Sequence, residues 1–177
     1  MTMFKRFLNR FRRSERGSAT LEFVIVFPIF VVLMGSSWEL GLITMRTTII
    51  ERATDLVVRD IRLGTGSAPQ HDEIKQEICD MASILTNCEQ NLRIEMIQID
   101  PRNWTEPPAE ADCTDASQEV SPVRAFENGQ ENELMLLRVC FKVDPLFPAV
   151  GLGKALVTDD AGQFALVAAA AFVQEPL

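Results

Sequence analysis

Histidine is almost missing from this chain: His71 is the single one in 177 residues. It sits among Gln70, Asp72 and Glu73 at a predicted helix start, where a solvated role is expected and no nucleophile or second base accompanies it. No Gly-rich phosphate loop occurs either, because Gly151-Leu152-Gly153-Lys154 lacks the rest of such a motif. There is no CxxC pair. The four cysteines, Cys79, Cys88, Cys113 and Cys140, are separated by 8, 24 and 26 residues, a poor spacing for zinc. The acidic pair Asp159-Asp160 falls in a predicted turn and reads as solvated rather than metal-binding. No internal repeat is present. Together these absences point away from catalysis, bound metal and cofactors, so no catalytic or metal-ligating residue is assigned.

Basic residues are scarce outside one short stretch. Residues 1–17 hold six of them (Lys5, Arg6, Arg10, Arg12, Arg13 and Arg16) against Glu15, whereas the remainder carries 11 basic and 24 acidic side chains. An acidic body argues against nucleic-acid binding, which needs a basic face. The basic tip lies directly before an apolar run, and that position reads as membrane topology.

Charge is absent altogether from Phe23 to Trp38. With Ser18–Leu21 and Glu22 added, the segment reaches about the 20 residues that a bilayer requires. Basic flanks stay cytoplasmic, so the N-terminus is expected inside and the acidic body outside. A secretory signal peptide cut near Gly35-Ser36-Ser37 is one alternative, but the run is long for it and Glu22 interrupts its start. A plain signal anchor leaves Glu22 unexplained. A carboxylate near the bilayer interior costs about 2.5–3.5 kcal/mol on insertion scales and asks for a partner. Cleavage after Gly17 supplies one: Ser18 then carries a new α-ammonium one helical turn before Glu22. The same carboxylate can instead meet the ammonium of a neighbouring subunit. Gly17 offers a protease an unhindered backbone.

The pattern Arg16-Gly17-Ser18-Ala19-Thr20-Leu21-Glu22-Phe23, with Pro28 five residues further on, resembles the prepilin processing motif. It is most similar to that of the TadE/TadF-like minor pseudopilins of the tight-adherence (Flp) type IV pilus system. The resemblance implies that Gly17 precedes the cut, that Ser18 is the mature N-terminus, and that Glu22 is the characteristic fifth residue. Phe23 stands where the major Flp pilin usually has Tyr, which favours the minor relatives. The Cys79/Cys88 pair, Arg138-Val139-Cys140 and the ending Phe172-Val173-Gln174-Glu175-Pro176 also look like this family, although relatives commonly have Arg where Gln174 stands. The resemblance implies a non-enzymatic assembly component that primes or tunes pilus biogenesis. Its implied partners are a prepilin peptidase, the major Flp pilin, a companion minor pseudopilin, the inner-membrane assembly platform and the lipid bilayer. A permanently anchored periplasmic binding or scaffold module that keeps its leader is the rival reading.

The expected fold is α+β and pilin-like, a long N-terminal helix packed on a small antiparallel sheet. Residues 1–17 are the basic leader, 18–40 the transmembrane part of the helix, 41–64 its amphipathic continuation, and 65–177 an extracytoplasmic domain. Beyond Glu39, apolar positions such as Ile50, Ala53, Val57 and Ile61 recur at helical spacing until Gly64-Thr65-Gly66 stops them. A second amphipathic helix is predicted over 71–85, with Ile74, Ile78, Met81 and Leu85 on one side. Leu92–Ile99 alternates like a strand, with a bulge expected at Met96-Ile97. Residues 100–132 read as a long loop that must be tied down. Leu134–Val143 is a second strand, Pro145 to Gly153 a break and turn, and Phe164–Phe172 a last strand. Four cysteines in an oxidising compartment suggest two disulfides with three possible connectivities. Cys79–Cys88 and Cys113–Cys140 are favoured, the second pinning the long loop. Trp38 suits an interfacial anchor, and Trp104 is open to either a core or a contact role.

Overall fold

The apolar run and the spaced apolar positions beyond it belong to one helix. In the computed structural model, which describes residues 18–63, 69–114 and 126–176, α1 runs unbroken over Ser18–Arg62. At 1.5 Å per residue its 45 residues extend about 68 Å. Pro28 lies inside it, where the missing N–H removes one helical hydrogen bond. Arg59 and Arg62 occupy the last turn, where cations complement the helix dipole. The expected Gly64–Gly66 stop lies outside the described residues, as does the leader.

The C-terminal half of α1 buries a single stripe, Ile50, Ala53, Val57 and Ile61, spaced three or four residues apart. Each large apolar side chain so buried contributes roughly 1.5–3 kcal/mol. Thr54 shares this face and satisfies its hydroxyl by donating to the Ile50 carbonyl at 2.8 Å. The stripe packs on a three-stranded antiparallel sheet, β1 (Leu92–Ile99), β2 (Leu134–Val143) and β3 (Phe164–Val173), in the order β1-β2-β3. The register aligns Leu92, Phe141 and Leu166 across the sheet, then Ile94, Val139 and Ala168. Because side chains alternate along strands, this register sends all six to one face, and all six are buried. The architecture is α+β.

Helix α2 (His71–Met81) closes the core from the side with Ile74 and Ile78. It starts at a capping interaction, in which the Gln70 N–H donates to Glu73 Oε2 at 2.9 Å. It is four residues shorter than the apolar spacing predicts. Ala82, fully buried, succeeds Ile78 on the packed face, and Met81 points outward. A four-residue helix, α3 (Cys88–Asn91), then leads directly into β1.

The expected bulge at Met96-Ile97 is absent: pairing runs without a slip from Leu92↔Phe141 to Ile99↔Leu134. Two consecutive apolar residues arise instead because both faces of β1 are covered. Met96 faces α1, while the alternate residues Arg93 and Glu95 are buried on the opposite face. The segment from Pro145 to Gly153 is also more ordered than a plain turn, since Gly151–Ala155 forms a short helix, α4.

Candidate functional site

The first half of α1 carries the residues that the sequence singles out for processing and anchoring. Gly17 lies outside the described residues. Ser18 opens the helix, and Glu22 and Phe23 follow on its exposed first turns. Ser18 and Glu22 are one helical turn apart along the backbone, as their spacing dictates. The Phe23 and Phe27 rings stack with centroids 4.8 Å apart. No residue from Ala19 to Met34 is buried or even half-buried, and the apolar window has a mean hydropathy of 2.1. A helix that is apolar all round and uncovered by its own protein is built to be solvated by lipid.

Where this span ends, two side chains tie it to the rest of the molecule. Glu39 is buried, 2% exposed. Its Oε1 accepts from the Leu146 N–H at 2.7 Å and the Phe147 N–H at 3.4 Å. Ser36 Oγ donates to the Val32 carbonyl at 2.8 Å and accepts from the Leu152 N–H at 3.1 Å. The fit depends on two glycines. A Cβ on Gly153 would lie 2.6 Å from the Phe147 carbonyl and 2.7 Å from Glu39 Oε2. Gly151 adopts φ +61°, a left-handed conformation that few other residues tolerate. Glu39 Oε2 itself has no hydrogen-bond partner. Nothing in the sequence singled out Glu39, whose partners lie more than 100 residues away. The only available signal was a run of small residues, Gly35-Ser36-Ser37, matched by Gly151 and Gly153. Such pairs mark a close approach of two backbones.

The four cysteines form two bridges. Cys79 of α2 bonds Cys88 at the head of α3, with Cα atoms 5.6 Å apart. Cys113 bonds Cys140 of β2, with Cα atoms 5.2 Å apart. The second bridge fastens the loop over the outer face of the sheet, where charge replaces apolar packing. Arg138 pairs with Glu95 across the strands and donates to the Pro108 carbonyl at 2.6 Å. Arg93 Nε stands 3.3 Å from Asp112 Oδ2, and the Asp112 N–H donates to Glu95 Oε1 at 3.3 Å. All four side chains are at most 10% exposed. The long loop is held by this cluster, and then by Phe126, which bridges Met96 in parallel. Residues 115–125 lie outside the described residues.

His71 departs from the expected solvated role. Its side chain is 18% exposed, its ring meets Phe126 edge-on at 5.4 Å, and Nδ1 lies 2.8 Å from Asp72 Oδ1. That hydrogen bond, with the imidazole's field, holds the Asp72 carboxyl below the usual carboxylate range. Asp159 is likewise no free turn residue. Burial pushes its carboxyl up, but the Lys142 ammonium at 2.8 Å and the Gln163 and Ala161 N–H groups outweigh burial and lower it. Trp104 is 64% exposed and no part of the core. At the far end of α1, Gln174 Nε2 donates to the Ile61 carbonyl at 3.2 Å, and Glu175 pairs with Arg62 at 2.9 Å. The ion pair thus falls on Glu175, one residue beyond Gln174. Among the described residues, no three His, Cys, Asp or Glu side chains gather as a metal site would require.

A single helix, lipid-facing over one half and packed on a small antiparallel sheet over the other, defines a candidate single-pass membrane-anchored α+β protein. Residues 17–59, which contain all of that span and most of the packed half, match the family described as TadE-like protein. Over these residues the chain is similar to TadE-like proteins. No curated protein and no solved structure matches it.

Proposed function

We propose that the chain is a minor pseudopilin that primes or tunes assembly of the tight-adherence pilus after a prepilin peptidase removes residues 1–17. The observation that supports this reading most is the partition of α1. Its family-matched segment starts at the proposed cut, is wholly lipid-facing beyond it, and then becomes the spine of a folded domain. Removal of the leader takes away six basic residues that hold the N-terminus on the cytoplasmic side. The mature helix is then free to leave the bilayer and pack with other pilin helices. Glu22 is satisfied by an α-ammonium, its own or a neighbour's, where an unpaired carboxylate would oppose that packing.

On this reading the domain lies outside the cytoplasm, where both disulfides persist. The partners are the peptidase, the major Flp pilin, a companion minor pseudopilin and the inner-membrane assembly platform. Mass spectrometry of the protein from cells with an active peptidase tests the proposal. A mature chain beginning at Ser18 is expected, and replacing Gly17 by a bulky residue leaves the leader attached. An intact leader in the wild-type protein favours the permanently anchored module instead. Glu22→Ala separates insertion from assembly: the variant still inserts, because a carboxylate has left lipid, yet no longer co-purifies with partner pilins. Normal piliation by Glu22→Ala and Glu22→Gln would reduce Glu22 to a tolerated interfacial charge.

A further inference from the structure

The segment Pro145–Leu152 lies against α1 alongside the last two turns of the apolar span, short of the helix's polar half. Leu146 is 50% exposed, Phe147 38%, Val150 51% and the neighbouring Trp38 64%. Between segment and helix runs an open groove of about 410 Å³, walled by Val31, Met34, Trp38, Phe147 and Val150 and free of charged side chains. Val31 to Trp38 spans about 10 Å along the helix axis, so the groove reaches well below the end of the apolar run. Contiguous exposed apolar surface of this kind marks an interaction site.

The backbone of the segment indicates which partner. Non-helical backbone is tolerated at membrane depth only where its polar groups are satisfied within the protein. Here Pro145 and Pro148 have no N–H to satisfy, and four of the six remaining N–H groups find acceptors within the protein. Leu146 and Phe147 donate to Glu39, Val150 to the Phe147 carbonyl at 3.3 Å, and Leu152 to Ser36. Two side chains of α1 thus supply acceptors that water would otherwise provide. A loop in open solvent has no need of a buried carboxylate for this purpose.

We propose that Pro145–Leu152 is a second membrane contact, a wedge that enters the leaflet on the domain's side of the bilayer. Acyl chains of that leaflet occupy the groove between the wedge and α1. The wedge fixes the domain's tilt and depth relative to the span, which a lone helix leaves free. The inference rests on α1 crossing a bilayer and not on leader cleavage or pilus assembly.

The test uses the full chain in phosphatidylcholine–phosphatidylglycerol vesicles containing lipids brominated at a defined, shallow acyl depth. Phe147→Trp in a Trp38→Phe, Trp104→Phe background places a sole reporter on the wedge, and Leu146→Trp provides a second should the first fold poorly. Chains retaining only Trp38 or only Trp104 are the controls. Trp104 follows β1 at the sheet end whose neighbour, Gln174, bonds Ile61, far along α1 from the span. Quenching at position 147 or 146 of at least half that at Trp38, with none at Trp104, supports the wedge. Quenching at Trp38 alone overturns it and leaves the membrane helix standing; quenching at none of the positions overturns both. A photo-reactive residue at Val150 gives the last arm. Lipid adducts support the assignment, and cross-linked pairs of chains overturn it by showing that a second copy fills the groove.

Discussion

The two halves of α1 share one backbone and follow opposite rules of burial. From Ala19 to Met34 apolar side chains surround the helix and none is covered; from Ile50 to Ile61 they form a narrow stripe and all of it is covered. On the reading of α1 as a membrane anchor, the difference reflects the solvent each half meets. Lipid surrounds a helix evenly and needs no stripe, whereas a protein core touches one face and leaves the others to water. Between them lies Glu39, a buried carboxylate at the seam. Two substitutions would break this comparison most directly. Ile50→Ala removes part of the core stripe and is expected to cost the domain about 2–5 kcal/mol, whereas Ile25→Ala, on the lipid-facing half, leaves domain stability within about 0.5 kcal/mol. Hydrogen exchange of β2 amides in detergent-solubilised protein reads both. Equal losses would mean that the halves do not divide their work as their burial suggests.

The domain's two sheet faces extend the contrast. One is apolar and packed on α1; the other is ionic and held down by a loop through Cys113–Cys140. Replacing both cysteines by Ala is expected to cost about 2–4 kcal/mol and to open residues 100–114 to proteolysis first, because the loop then hangs mainly on Arg138, Arg93 and their partners. Cleavage beginning elsewhere would show that the ionic cluster, not the bridge, fixes the loop.

Much of this division was legible in residue order. Strand β2 was read at its observed bounds because Leu137, Val139, Phe141 and Val143 alternate and Pro145 ends the run. The long helix was legible because charge vanishes from one half and recurs periodically in the other. Two of the misreadings share one cause, which is contact with distant chain. The supposed bulge at Met96-Ile97 reflects a loop folded over the second face of β1. Glu39 looked like the first polar residue after a membrane run, since its partners Leu146 and Phe147 lie 107 and 108 positions away.

The seam is tested by Glu39→Ala. Two backbone N–H groups lose their acceptor, an expected loss of about 1–3 kcal/mol concentrated in the Pro145–Leu152 segment. Exchange at Leu146 and Phe147 should accelerate while exchange around Val57 stays slow. Glu39→Gln keeps an acceptor oxygen and should show less than half the effect. If Val57 responds as strongly as Leu146, Glu39 belongs to the core rather than to a separate clamp.

Ion pairs give the smallest effects, and two of them differ enough in burial to be ranked. Lys142–Asp159 is mostly covered, at 12% and 19% side-chain exposure, and Asp159 also receives the N–H groups of Gln163 and Ala161. Asp159→Asn is therefore expected to cost about 1 kcal/mol. The Asp159 carboxyl is lowered from 3.8 in the folded protein, so its contribution is complete above the unfolded-state value and fades as pH falls through the lower folded value. A stability difference between wild type and Asp159→Asn that persists at pH 6 but shrinks below about pH 4 is the signature. Arg62–Glu175 closes the far end of α1 with side chains 56% and 46% exposed. Water and salt screen such a pair, and Arg62→Ala should cost only about 0.2–1 kcal/mol, less at high ionic strength. Gln174→Ala removes the neighbouring hydrogen bond to Ile61, a neutral contact that salt does not weaken. Measuring both variants at low and high salt separates the charge from the staple. A salt-independent loss for Arg62→Ala would assign its effect to packing of its aliphatic stem over the end of the helix.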